Sequence, residues 1–318
     1  MLKTKAIRKL FITTLTAFIL LVVYLIPTTI NNVEEEVLRT NLEIEYITGI
    51  GTNNIYLLNK NNLLVRSKIL LDTNDIEDQV KIILNNLIIK DNAKFPTGVV
   101  GTIPKKTKVL DIDYEDNIVT VDFSKEFLLM EEEIEKQVIE SIVYSIMDLD
   151  NVNGVSIKVE DEDIEEYPYS KEELPEVLTK EIGINKKYSI SSRQNINKIV
   201  IYYLEDIDSN RYYVPVTKYV NDSRDKIKII VSELASSYIY EPNLMSFLNA
   251  KAELLNYEEK ENIMFLNFND YLFDSNNKVI EEVLYTLAYS VFENYDVNSV
   301  FIEVNGKLVE QIGLKDLK

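Results

Sequence analysis

The sequence predicts an α/β protein of the α+β type. An N-terminal transmembrane helix is followed by two repeated β-β-α-β-β-α-β domains, each one sheet with two helices on one face. Three observations lead to this prediction. An apolar run follows a basic N-terminus, four sequence blocks recur in the same order along the 318-residue chain, and each block has the hydrophobic period of one helix or strand. A chain of this length has room for two domains.

The first 26 residues have the features of an uncleaved signal anchor. A basic cytoplasmic stub, residues 1–9, precedes an apolar transmembrane run at residues 10–26. Together with the residues just before it, the run reaches the roughly 20 residues that cross a bilayer. The basic flank predicts a cytoplasmic N-terminus and a single-pass protein whose remainder lies outside the cell membrane. A cleaved signal peptide is the alternative, but no Ala-x-Ala-like cleavage site follows the run.

Two domains are predicted, at residues 42–160 and 197–312, because both segments contain the same elements in the same order. Four pairs of blocks match at a nearly constant offset: Val80–Leu87 with Ile227–Leu234, Asn117–Ser124 with Asn262–Asn269, Val138–Tyr144 with Val279–Tyr285, and Val152–Val159 with Val297–Val304. Four matches in one order indicate an internal duplication.

Two blocks of each domain have the period of an amphipathic helix. In the first domain the apolar faces are formed by Val80, Ile83, Leu84 and Leu87 and by Ile139, Ile142, Val143, Ile146 and Met147. The second domain repeats both patterns. Capping oxygens are expected from Asn74 or Asp75 in the first domain and from Asn221 or Asp222 in the second.

The other blocks alternate with the period of two that a half-buried strand shows. One apolar face is formed by Val119, Val121 and Phe123, and another by Val155, Ile157 and Val159. A hairpin precedes the first helix of each domain, pairing residues 55–58 with 63–70 and residues 198–204 with 212–219. These elements complete the β-β-α-β-β-α-β order.

Residues 161–196 are predicted to form an acidic linker. The segment begins with five carboxylates in six residues and contains Pro168 and Pro175. Such runs are usually solvated spacers, and the alternative is a docking strip for a basic partner. Apolar Leu178, Ile182 and Ile184 predict that the later part packs between the domains.

Composition excludes several classes of function. With 53 acidic and 34 basic residues the net charge is −19, which disfavours nucleic-acid binding. The chain has no Cys and no His. Disulfides, thiol nucleophiles, lipoprotein thioethers, Ser-His-Asp triads and typical zinc sites are therefore excluded. The prediction is a protein that is not an enzyme and has no catalytic residue, metal or cofactor.

Two acidic stretches suggest metal sites but have simpler explanations. A cluster without the Gly of a calcium loop is interpreted as a hairpin turn: Asp111, Asp113, Glu115 and Asp116. The stretch from Asp148 to Gly154 hints at an EF-hand loop, but Val152 occupies a ligand position. We interpret this stretch as a helix-to-strand turn.

Two further groups raise the possibilities of glycan cleavage and glycan binding. Asp122 and Asn267 end equivalent strands, on the face expected to lie opposite the core, but no second carboxylate stands at a spacing typical of glycosidases. The pairs Tyr202-Tyr203 and Tyr212-Tyr213 could form a protein interface or a glycan platform. Half-buried strand residues are the favoured interpretation.

Each domain resembles the GerMN domain of bacterial sporulation and spore germination proteins. The matching features of the first domain are the Ile103-Pro104 turn, the strand at 108–113, the Asp122-Phe123-Ser124 segment, the helix at 133–147 and the strand at 152–159. The second domain shows the same series at 251–257, 264–272, 277–291 and 297–304. A tandem pair behind a membrane anchor is the arrangement of the family's namesake. Unlike many members, this chain lacks a Gly-rich loop and a lipoprotein Cys.

The resemblance implies a non-catalytic extracytoplasmic scaffold, similar to the ring-building modules of sporulation channels. Its implied partners are proteins of the envelope or of a sporulation complex. The alternative is a peptidoglycan-binding module or an accessory factor in cell-wall processing, and a wall hydrolase is least favoured. A glycan binder should show an exposed aromatic row in a groove, whereas a scaffold should show an apolar patch on a helix or sheet edge.

Overall fold

The computed structural model describes residues 51–91, 95–236 and 243–317. The predicted stub at 1–9 and transmembrane run at 10–26 lie outside these residues and stay predictions. No helix in the described part of the chain is both long and apolar enough to span a bilayer.

The predicted order of elements is present in both halves of the described chain. The first repeat contains β1 (Gly51–Asn59), β2 (Leu64–Leu71), α1 (Ile76–Leu87), β3 (Val99–Val100), β4 (Val109–Glu115), β5 (Ile118–Phe123), α2 (Glu135–Ile146), β6 (Gly154–Val159) and β7 (Glu162–Asp163). A short strand, β8 (Lys187–Ser189), lies between the repeats. The second repeat contains β9 (Ile196–Ile207), β10 (Asn210–Asn221), α3 (Lys226–Leu234), β11 (Leu254–Lys260), β12 (Ile263–Phe268), α4 (Glu281–Phe292), β13 (Ser299–Val304), β14 (Lys307–Gly313) and the single turn α5 (Leu314–Leu317).

The prediction of one sheet per domain is wrong. Each repeat has its own four-stranded sheet, β4-β5-β6-β7 in the first and β11-β12-β13-β14 in the second. The two N-terminal hairpins leave these sheets and join a third one, with the order β3-β1-β2-β10-β8 and with β9 on β10. The parallel pair in each repeat, β5 with β6 and β12 with β13, is connected through the helix that follows the first of the two strands.

The reason lies in α2 and α4, which are buried on almost every side instead of on one face. Beside its apolar face, α2 carries Ser141 and Ser145, and these serines bind the backbone of β1. The Tyr56 N–H donates to Ser145 Oγ (3.0 Å), and the Ser141 hydroxyl donates to the Tyr56 carbonyl (2.7 Å). In the second repeat, the Tyr202 N–H of β9 donates in the same way to Ser290 Oγ (2.9 Å). The serines satisfy backbone groups at a sheet edge, so each helix lies between two sheets.

The two repeats meet along β2 and β10, which are equivalent strands of the duplication. They pair antiparallel through Arg66 and Tyr213, which gives the seam a local two-fold symmetry. Close to the seam, the hydroxyls of Tyr56 and Tyr202 lie 3.1 Å apart. The Arg66 guanidinium stacks 3.9 Å from the ring centre of Tyr289 on α4. Both repeats belong to one compact unit.

The later part of the linker is built into this seam, as its apolar residues predicted. Leu178 and Ile184 are buried, and β8 extends the shared sheet by pairing parallel with β10. The Asn185 side chain bridges β2 and β10 in place of a direct backbone hydrogen bond between the two strands. It accepts from the Leu64 N–H (2.9 Å) and donates to the carbonyls of Leu64 and Pro215 (both 2.8 Å). The five carboxylates at the start of the linker are exposed.

One of the two helix caps was predicted correctly. Asp75 caps α1 by accepting from the Asp78 N–H. The prediction of Asn221 or Asp222 as the cap of α3 is wrong, because the residue before that helix is Asp225. The Asn221 side chain is engaged elsewhere, accepting from two N–H groups of the loop at 191–192.

Candidate functional site

The acidic stretches singled out in the sequence form turns. Asp116 and Asn117, with φ of 51° and 64°, make the two-residue turn between β4 and β5, and Asn151 has φ of 65° in the turn after α2. Within the ranges that the structure describes, no three acidic side chains gather into a group that could hold a metal ion. Asp148 accepts instead from the Asn54 N–H.

Asp122 and Asn267 are buried, contrary to the expectation that they lie opposite the core. Each oxygen accepts a hydrogen bond from the turn after the neighbouring parallel strand. Asp122 Oδ1 accepts from the Asp161 N–H (3.2 Å), and Asn267 Oδ1 accepts from the Gly306 N–H (2.9 Å). The equivalent geometry in both repeats indicates that these residues stabilise the fold.

Three of the four tyrosines singled out in the sequence are part of the core. Tyr202, Tyr203 and Tyr212 are at most 5% exposed, and Tyr213 packs edge-on against Tyr289 of α4. Three of these rings are buried more deeply than the half-buried state favoured from the sequence, while Tyr213 is half-buried as favoured, so the four rings do not form an exposed glycan platform. Burial also raises the pKa of the Tyr56 hydroxyl, to about 12. That hydroxyl therefore stays protonated near neutral pH and cannot serve as a base there.

A charged cluster joins the linker to both repeats. The Lys180 ammonium lies 2.9 Å from Glu293 and 4.0 Å from Asp148, which follow α4 and α2 respectively. Burial lowers the pKa of Lys180, but the surrounding negative charges more than offset it, so the pKa lies above its ordinary value. Lys180 is thus a permanent cation that holds one carboxylate of each repeat, a structural role.

Each four-stranded sheet carries an exposed leucine on its edge strand, at equivalent positions of the two repeats. A register shift in β4 leaves Leu110 without a partner residue on β5, and the same shift in β11 leaves Leu255 without one on β12. The two side chains are 49% and 51% exposed. Bulges of this kind redirect a side chain away from the regular alternation of an edge strand. Acidic residues continue both strands, among them Asp113 and Glu258.

Comparison with known families identifies the two repeats. The family model named Germane, described as sporulation and spore germination, matches residues 54–165 and again residues 200–310. The chain belongs to this family. Two Germane domains account for the internal duplication, and the resemblance to GerMN domains inferred from the sequence is confirmed.

One curated protein and one solved structure are similar to most of this chain. The spore germination protein GerM of Bacillus subtilis (strain 168) is 28% identical over 273 residues, covering 82% of this chain and 74% of the relative. The structure of the tandem GerMN domains of the sporulation protein GerM from Bacillus subtilis matches with a TM-score of 0.75. It is 24% identical and covers 83% of this chain and 97% of that one, so it supports the mixed α/β fold.

Several residues that matter in these Germane domains were missed from the sequence. The residues Lys180 and Asn185 look like ordinary polar residues of a linker, since their partners are far away in the sequence. Leu110 and Leu255 align in the duplication, but an exposed leucine at a bulge cannot be told from a buried one without the strand register. The available indication was a break in alternation at the same place in both repeats.

Proposed function

We propose that the chain is a non-catalytic, single-pass membrane protein with a cytoplasmic N-terminus, whose Germane domains act outside the cell membrane as a scaffold in sporulation or spore germination. Family membership and the relative GerM support the process. The basic stub followed by the apolar run at 10–26 supports the anchor. The polar residues that the sequence singled out as possible site residues form turns or make hydrogen bonds that stabilise the fold.

The observation that carries the proposal is the repeated exposed leucine. Leu110 and Leu255 occupy equivalent bulged positions on edge strands, and the following strand residues are rich in carboxylates. An apolar contact surrounded by negative charge suits a basic segment of a protein partner, and the net charge of −19 favours the same kind of partner. Single exposed leucines are common on protein surfaces, but these two occupy equivalent positions of the duplication.

The experiment compares partner capture by the full-length, tagged chain and by surface variants from detergent-solubilised envelopes of its own host. The double variant Leu110→Ser, Leu255→Ser should lose the captured protein. The matched control Leu308→Ser, which changes a 52% exposed leucine on β14, should keep it. Capture should weaken with rising salt, because the partner is expected to be basic.

Sedimentation with purified peptidoglycan runs in parallel. Sedimentation with the wall in the absence of any specific protein partner would overturn the proposal and leave the peptidoglycan-binding alternative. Equal capture by the double variant and by the wild type would show that the edge leucines are not the contact.

A further inference from the structure

An open cleft of about 460 Å³ lies where the linker crosses the first repeat. Its walls come from the β1–β2 turn, the start of α2 and the residues that lead into β8. The linker contributes Tyr188, which is 64% exposed and stands in the wall of the cleft. A cleft of this size lies within the usual range for small-molecule sites.

The Tyr188 ring is held in place from one side. It stacks on Tyr219 of β10, with ring centres 4.9 Å apart and planes within 11° of parallel. The backbones of the same two residues are paired in the β8–β10 register. One face of Tyr188 is therefore covered, and the other is available as a flat apolar surface.

Several other polar groups that line the cleft are also held in place. Lys186 forms an ion pair with the buried Glu140 (2.8 Å), and the Gln137 amide donates to the Asn62 carbonyl (3.1 Å). These groups are already satisfied, so the cleft keeps its shape without a ligand.

Two exposed carboxylates in the cleft, Glu132 and Glu133, make no hydrogen bond or ion pair with the described residues. They can accept hydrogen bonds from a ligand that carries several O–H or N–H donors. Three lysines line the cleft, and each is already engaged: Lys136 pairs with Glu172, Lys186 pairs with Glu140, and Lys187 interacts with another group. The cleft therefore offers little attraction to an anion.

We propose that this cleft binds a neutral saccharide of the amino-sugar class, with one pyranose ring stacked on Tyr188 and its hydroxyl or acetamido groups directed to Glu132 and Glu133. A pyranose presents an apolar C–H face and a polar rim, which match the aromatic ring and the carboxylates respectively. Phosphorylated or otherwise anionic ligands are disfavoured by the two free carboxylates.

Among the described residues, the second repeat shows no equivalent cleft. Tyr188 and Lys186 come from the linker between the repeats, and at the equivalent place in the second repeat Arg211 bridges Asp206 and Glu282. One saccharide site per chain is therefore expected. The proposal is independent of partner docking at Leu110 and Leu255, which concerns the four-stranded sheets.

The test is calorimetric titration of the full-length chain in detergent micelles with tetra-N-acetylchitotetraose. The wild type should bind one equivalent saturably, with an affinity that does not change with salt because the ligand is neutral. Tyr188→Ala should weaken binding by about tenfold or more, because the stacking surface is lost. Tyr188→Phe keeps the ring and should bind within about threefold of the wild type.

Two further variants keep the result interpretable. The exposed double variant Glu132→Ala, Glu133→Ala leaves the tyrosine stack intact and should also weaken binding. The matched control Tyr271→Ala, at a 49% exposed tyrosine of the second repeat, should bind like the wild type. The proposal is overturned if the wild type shows no saturable binding, or if Tyr188→Ala, with an unchanged circular dichroism spectrum, binds as tightly as the wild type. Neither result bears on capture of a protein partner.

Discussion

Replacement of Asn185 tests whether the linker holds the two repeats together. In Asn185→Ala, the Leu64 N–H loses its acceptor, and the carbonyls of Leu64 and Pro215 lose a donor, at bonds of 2.8–2.9 Å. Leu64 is fully buried and Asn185 is 5% exposed, so water cannot replace these bonds freely. Each buried polar group left unpaired costs about 1–3 kcal/mol, and partial relaxation suggests a total of roughly 3–5 kcal/mol. That is a large part of the ~5–15 kcal/mol by which a folded protein is stable.

The assay is urea and thermal unfolding of the wild type and of two variants. Asn185 has φ of 48°, so alanine there also carries a backbone cost of about 1–2 kcal/mol. Asn195→Ala is the matched control, because Asn195 has φ of 54°, is exposed, and makes none of the seam bonds. At about 2–4 °C per kcal/mol, Asn185→Ala should melt roughly 10 °C below that control. Equal stability of the two variants would refute the role assigned to Asn185.

Two more predictions concern buried charges. Lys180→Met leaves Asp148 and Glu293 without their shared cation and should cost roughly 2–3 kcal/mol in urea unfolding, less than for a fully buried pair because the lysine side chain is 28% exposed. Adding Glu293→Gln should recover part of that loss, and a Lys180→Met variant as stable as the wild type would contradict the prediction. Burial raises the pKa of the Glu140 carboxyl despite its pairing with Lys186. The folded state therefore binds the carboxyl proton of Glu140 more tightly than the unfolded state does. The unfolding free energy of the wild type should therefore fall from about pH 4.5 upward relative to that of Glu140→Gln, and parallel pH profiles would exclude this.

Local structure was predictable because it depends on neighbours in sequence. The apolar period of residues 80–87 and 119–123 identifies α1 and β5, and Asp75 caps α1 as expected. The assignment of strands to sheets was not predictable in this way. It depends on Ser141 and Ser145, which look like exposed positions of an amphipathic helix but satisfy the backbone of β1. A polar residue that binds a distant backbone leaves the same pattern as one that faces water.

The sequence also did not show which tyrosines are exposed at the surface. The pairs at 202–203 and 212–213 look like candidates for a binding face, yet Tyr202, Tyr203 and Tyr212 are buried in the core and Tyr213 is half-buried against Tyr289. Tyr188 lies in the segment interpreted as a linker, and it is 64% exposed. Alternation within a strand indicates two faces, but which face is buried depends on the sheet that the strand joins. The duplication could reveal equivalent positions, although it could not reveal which of them remain exposed.

Duplication and linker contribute different properties to this chain. Features present in both repeats, such as the helix serines that bind β1 and β9 or the bulged leucines, follow from the shared Germane fold. Features present once come from residues 177–190, which supply Lys180 and Asn185 at the seam and Tyr188 at the cleft. Asp148 and Glu293 follow equivalent helices of the two repeats, and the linker supplies Lys180 as a cation that both carboxylates share. The same segment therefore both holds the repeats together and carries the exposed tyrosine of the cleft.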